Sequence, residues 1–130
     1  MKKVMLMLAG LIFYVGTIAQ ERTMQAFTGL WEAVSATNAG GGLEVKDSTQ
    51  LYLVFGDQKK KILQYKIDFS QSPGRFDFTV QQDSTTTLSL KSLLQFVNND
   101  LIKWQVFEDD NVPMYFASSG GEIVYLRRKR

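Results

Sequence analysis

Two aspartates, Asp68 and Asp77, stand on either side of the turn Ser72-Pro73-Gly74. Brought together, two carboxyl groups are the minimum machinery for glycoside hydrolysis, one as acid and one as base or nucleophile. Each, however, alternates with apolar residues: Asp68 lies between Ile67 and Phe69, and Asp77 between Phe76 and Phe78. Successive side chains of a strand point to opposite faces, so both aspartates face solvent when their apolar neighbours face a core. The run Glu108-Asp109-Asp110-Asn111 supplies oxygens of the kind calcium takes, but it lacks the ligand spacing and the glycine of a calcium loop. It reads as a solvated acidic turn. The chain has no histidine and no cysteine. That removes Ser-His-Asp and Cys-His catalysis, the usual zinc ligand sets and the side chain best matched to proton transfer near neutral pH. No catalytic residue, metal or other cofactor is expected, and the chain is not expected to be an enzyme.

The 15 basic and 13 acidic side chains give a formal net charge of +2. Lys2 and Lys3, however, open a segment that reads as an export signal. They are followed by an uncharged apolar run from Val4 to Val15, and Thr17-Ile18-Ala19 places small residues before a cut at Gln20. The run is shorter than the ~20 apolar residues of a spanning helix. No cysteine stands at the cut to carry a lipid, so no stable membrane anchor is expected after cleavage. Residues 1–19 are thus expected to be a signal peptide, residues 20–26 a leader and residues 27–130 one folded domain, periplasmic or extracellular. Without Lys2 and Lys3 the charges balance, and a general attraction to nucleic acid has no support. The cluster Arg127-Arg128-Lys129-Arg130 reads as a solvated chain end. With no disulfide available, the domain must hold together by packing alone.

The elements that would position any site read as short strands. Leu30 to Val34 is a first strand, followed by a glycine-rich loop from Thr37 to Gly42. Leu51 to Phe55 is apolar and ends at Gly56-Asp57. Leu63, Tyr65, Ile67 and Phe69 alternate with polar residues, as do Phe76, Phe78 and Val80. Thr86 to Val97 continues the pattern with Leu93 out of phase, and Asn98-Asn99-Asp100 signals a hairpin into Ile102, Trp104 and Val106. Met114 to Ala117 reads as an edge piece blunted by Pro113, and Glu122 to Arg128 as the last strand. About eight short strands with no amphipathic helix predict an all-β antiparallel sandwich or barrel.

Three groups of residues resemble one known pattern. Gly29-Leu30-Trp31-Glu32 looks like the G-x-W opening of lipocalin-type barrels. Tyr65 to Pro73 followed by Phe76-Asp77-Phe78-Thr79, and then Asn99 to Trp104, Val112-Pro113, Phe116 and Tyr125 to Arg128, resemble in order and spacing the small bacterial lipocalin-like domains first noticed in Planctomycetes. The resemblance implies a small eight-stranded lipocalin-like barrel over Phe27 to Arg128. It also implies that a basic residue of the last strand, Arg128 with Arg127 as alternate, packs over Trp31 and closes one barrel end. The chain departs from the family where Val112 replaces the usual Arg before the late Pro, and where Gln105 or Val106 stands near a frequent Cys.

All but Phe13 and Tyr14 of the nine Phe, five Tyr and two Trp lie beyond the export segment. An eight-stranded barrel is just wide enough to fill with side chains or to hold one small ligand, and so many rings favour filling. If a pocket exists, Tyr52, Tyr65, Phe78, Phe96 and Trp104 are its expected wall. The leading expectation is a non-catalytic exported protein that binds a small apolar or amphiphilic molecule in the cell envelope. The alternative is a protein-interaction or scaffold module with a filled barrel, its partner unknown.

Overall fold

The structure, a computed structural model, describes residues 24–34 and 41–129; the expected signal peptide and the start of the leader lie outside them. Eight strands form a closed antiparallel barrel in which each pairs with the next in sequence: β1 (Gly29–Ala33), β2 (Gly41–Asp47), β3 (Gln50–Phe55), β4 (Gln58–Asp68), β5 (Gly74–Gln81), β6 (Thr87–Asn98), β7 (Leu101–Phe107) and β8 (Ile123–Arg128). Strand β8 closes the ring against β1, with Arg128 directly opposite Trp31. The lipocalin-like all-β barrel is therefore the fold. Closure leaves no unpaired edge in the sheet.

Inward and outward residues alternate along the strands, most cleanly on β5, where Gly74, Phe76, Phe78 and Val80 are buried and their neighbours half-exposed. One end of the barrel is closed. A helical turn over residues 24–27 drives Phe27 into it, edge-on against Phe69, Phe76 and Phe96. Trp31 lies above, also edge-on to Phe96. Both Phe27 and Trp31 are completely buried. This aromatic plug is what the expected polar leader delivers: its last turn belongs to the core.

The strand count matches the expectation, but the membership differs. Met114 to Ala117 is not a strand; it belongs to a strap, residues 108–122, folded over the outer face of the barrel. Gln105, on the outer face of β7 and fully buried, holds it there. Its amide nitrogen donates to the carbonyls of Ala117 (2.8 Å) and Gly121 (2.7 Å), and its amide oxygen accepts the N–H of Ala117 (2.9 Å). Backbone groups taken by a side chain in this way are not free for a ladder. The eighth strand is instead β2, where Leu43 and Val45 face inward. On β4 the register slips between Ile62 and Gln64. The bulge puts Ile62 in the core and leaves Leu63 45% exposed, so Leu63 is not on the inner face with Tyr65.

Candidate functional site

The closed end is built by Arg128. Its guanidinium lies 4.3 Å from the Trp31 ring centroid. It donates to the carbonyls of Thr28, Ala26 and Asn99 and pairs through Nε with Asp100 at 3.3 Å. Trp31 Nε1 donates to the Phe27 carbonyl at 2.9 Å, so no polar atom of the indole is left dry. Gly29 allows this arrangement. Its φ is +141°, and a Cβ there would sit 2.7 Å from Arg128 Nη1, so the G-x-W glycine is needed for both conformation and space. Arg127, the alternate partner, is exposed on the outer face opposite Glu32.

Halfway up the barrel a second aromatic layer crosses the interior. Phe76 stacks on Phe78 with centroids 4.7 Å apart, and Trp104 lies 6.0 Å from Phe78 and 6.4 Å from Phe76. A short hydrogen-bond chain fixes the indole: Trp104 Nε1 donates to Ser92 Oγ at 2.9 Å, and Ser92 Oγ donates to the Phe76 carbonyl at 2.6 Å. Ser92, fully buried, has the strand phase of Leu90 and Leu94, which explains why a serine occupies an inward position. The hydroxyl is satisfied by two partners that both belong to the same aromatic layer.

Above this layer the barrel is open. A cavity of about 250 Å³ is lined by Leu53, Leu90, Val106, Val124, Leu126 and the rings of Phe78 and Trp104, with Ala33 leaving room on β1. Its rim is apolar, with Phe55 53% and Leu88 41% exposed at the strand ends. Lys60 is the cross-strand partner of the wall residue Leu53, and its ammonium crosses to the Gln82 carbonyl at 3.1 Å, so one cation stands near the mouth. A larger recess of about 400 Å³ lies at the opposite end, between the β4–β5 turn and the β6–β7 hairpin. Its walls include Gln71, Ser72, Gln95 and Asn99, and Gln95 already donates to Ser72 at 3.1 Å. Size favours that recess, but a more open groove edged by side chains that satisfy one another offers a ligand little.

Of the five rings expected to form a pocket wall, the structure places Phe78 and Trp104 in the cavity. Tyr52 is on the outer face of β3 with the Lys46 ammonium 5.4 Å from its ring centroid. Tyr65 faces inward, but its ring lies against Phe76 and its hydroxyl donates to the Ser48 carbonyl at the closed end. Burial, with the Asp47 charge second, holds its phenol above the usual value. Phe96 belongs to the plug around Phe27 and Trp31. Apart from Phe55 at the rim, the wall is mainly aliphatic, and Leu53, Leu90, Val106, Val124 and Leu126 share the inward phase of Phe78 and Trp104, so strand phase, not ring type, is the signal that finds them.

The residues that first suggested chemistry are dispersed. Asp68 accepts the Ser70 hydroxyl at 2.5 Å and the Ser70 N–H at 2.9 Å, which together hold its carboxyl below the ordinary carboxylate range. Asp77 sits beside Arg75 at 3.5 Å on β5. In the acidic turn Asp109 accepts the N–H of Asn111 at 2.9 Å, and Lys91 approaches Asp110 at 3.8 Å. Among the described residues no three acidic side chains gather as a metal site would need.

Comparison with family models, with curated proteins and with solved structures finds no match to this chain.

Proposed function

We propose that this chain is an exported, non-catalytic lipocalin-like protein that binds a small apolar or amphiphilic molecule in the cell envelope. The observation that carries the reading is the division of the barrel: one half is sealed with aromatic rings, and the other holds a cavity whose wall is almost wholly hydrocarbon. Burial of apolar surface drives such binding at about 25 cal/mol per Å². The exposed apolar rim and the Lys60 ammonium near it suit a ligand with a polar end.

Bromine quenches indole emission on contact, and Trp104 floors the cavity while Trp31 lies sealed beneath. Titration with 1-bromooctane is expected to quench part of the tryptophan emission saturably, and Trp104→Phe to remove that component. Quenching that stays linear with concentration would overturn the reading.

A second reading rests on the strap. Met114 is 81% and Tyr115 67% exposed, beside Phe116, whose ring carries the Lys103 ammonium 4.5 Å from its centroid. Exposed Met and Tyr side chains suit a protein partner, with the barrel as scaffold. The same titration separates the two, since a scaffold has no saturable quenching.

A further inference from the structure

We infer that Trp104 is the depth stop of the cavity and sets the length of ligand tail the protein accepts; this rests on the binding reading above. The interior below the indole is solid. Trp31 and Phe27 are fully buried, as are Leu94 and Ile102 on the strands that flank it. Trp104 itself retains 8% exposure and lines the cavity. The stacked pair Phe76 and Phe78 lies against the ring, and its one polar atom is tied to Ser92. An indole with two rings against one side and a hydrogen bond at its nitrogen is held in its rotamer. A ligand therefore meets a fixed floor halfway down the barrel and not a side chain that yields.

The floor turns volume into selectivity. A dry cavity of roughly 150 Å³ accepts one benzene ring. By the same measure about 250 Å³ admits a chain on the order of ten carbons, well short of a full-length lipid tail. Each methylene that still finds wall contributes about fourfold in affinity, and each one beyond the floor must lie in water at the mouth and contributes nothing. Affinity along a homologous series should climb and then stop, with the stopping point written in Trp104.

Ser92 makes the position testable. In Trp104→Phe the Ser92 hydroxyl keeps its bond to the Phe76 carbonyl, so no buried donor is orphaned, and the floor drops by the missing five-membered ring. Trp104→Leu lowers it further. The full chain and both variants would be titrated by calorimetry with hexanol, octanol, decanol, dodecanol and tetradecanol, with circular dichroism establishing that each is folded. The wild type is expected to gain about fourfold per methylene up to a break near decanol. In Trp104→Phe, and further in Trp104→Leu, the break should move to longer alcohols, and a move from decanol to dodecanol raises the dodecanol-to-octanol affinity ratio about sixteenfold over the wild type, at about fourfold for each of two methylenes. Should Trp104→Leu fail to fold, the Phe variant alone decides. A break that stays at the same alcohol in a folded variant overturns the depth stop and leaves ligand binding standing. No binding of any alcohol by the folded wild type overturns both.

Discussion

At the scale of single residues, Arg128 does what several groups share in larger barrels. Its planar fork faces three backbone carbonyls, Ala26 and Thr28 in one segment at the start of the fold and Asn99 in the β6–β7 hairpin, while its π face lies on Trp31. A lysine has one point charge and cannot do both. Removing the side chain forfeits a partly desolvated cation–π contact of ~0.5–2 kcal/mol and charge-assisted bonds whose loss leaves carbonyls unpaired. Arg128→Met is therefore expected to cost about 2–4 kcal/mol in urea unfolding, and Arg128→Lys an intermediate amount. Arg127→Ala, on the exposed outer face, should stay within about 0.5 kcal/mol. Equal effects at the two positions would show that the pairing with Trp31 is not what closes the barrel. This pairing was expected from the resemblance of Gly29-Leu30-Trp31 to the lipocalin-type opening and not from any local signal, since Arg128 stands opposite Trp31 only on the closing strand.

At the scale of elements, the turns share one device. Asp47 accepts the N–H of Thr49, Asp68 that of Ser70, Asp83 those of Thr85 and Thr86, and Asn98 that of Asp100. Each is a side chain standing in for a backbone turn. The bonds favour the ionised carboxylate, most at Asp83, where the Thr85 backbone N–H leads and the pKa falls from 3.8 to about 2. A folded-state pKa below the unfolded value contributes stability that is fully present above the unfolded pKa and is lost as pH falls through the folded one. Stability should therefore decline between about pH 4 and pH 2, with Asp47 and Asp68 adding in the same direction. Asp83→Asn keeps an acceptor oxygen without a titrating proton, so its urea midpoint should fall less steeply over that window. An unchanged slope would assign the acid limb to other groups.

The hairpin at Asn98 was readable because Asn and Asp cluster where the apolar alternation stops, whereas the turns at Asp47 and Asp68 were not picked out. Strand β2 was not, because Gly41 and Gly42 open it and Glu44 and Lys46 alternate with its only two core residues. Met114 to Ala117 carries aromatic residues like a strand, but what decides its structure is Gln105 on another element. The β4 bulge is equally silent, since an added residue alters phase without altering composition. The same limit governs the cavity. Rings identified two of its walls, but which rings share an end of the barrel depends on register, and that placed Tyr65 and Phe96 with the plug and Tyr52 outside.

At the scale of the whole molecule, the barrel divides its interior between stability and vacancy. The sealed half holds nearly every fully buried large side chain, whereas the open half keeps an apolar space against the tendency of cores to close-pack. A vacancy of this kind is a cost in stability that selection retains only where the space is used. Ala33 is the place to test it, because its small side chain lines the cavity on β1 between glycine-rich neighbours on β2. Ala33→Leu adds three carbons to that space and should stabilise the unliganded protein by about 1–2 kcal/mol. For a domain near this size that is a rise in Tm of roughly 5–10 °C. The same leucine should abolish the increase in Tm that decanol gives the wild type, because the ligand and the side chain compete for one volume. A fall in Tm would show that the space is not there to be filled. A rise that left the decanol effect intact would move the ligand to another part of the molecule.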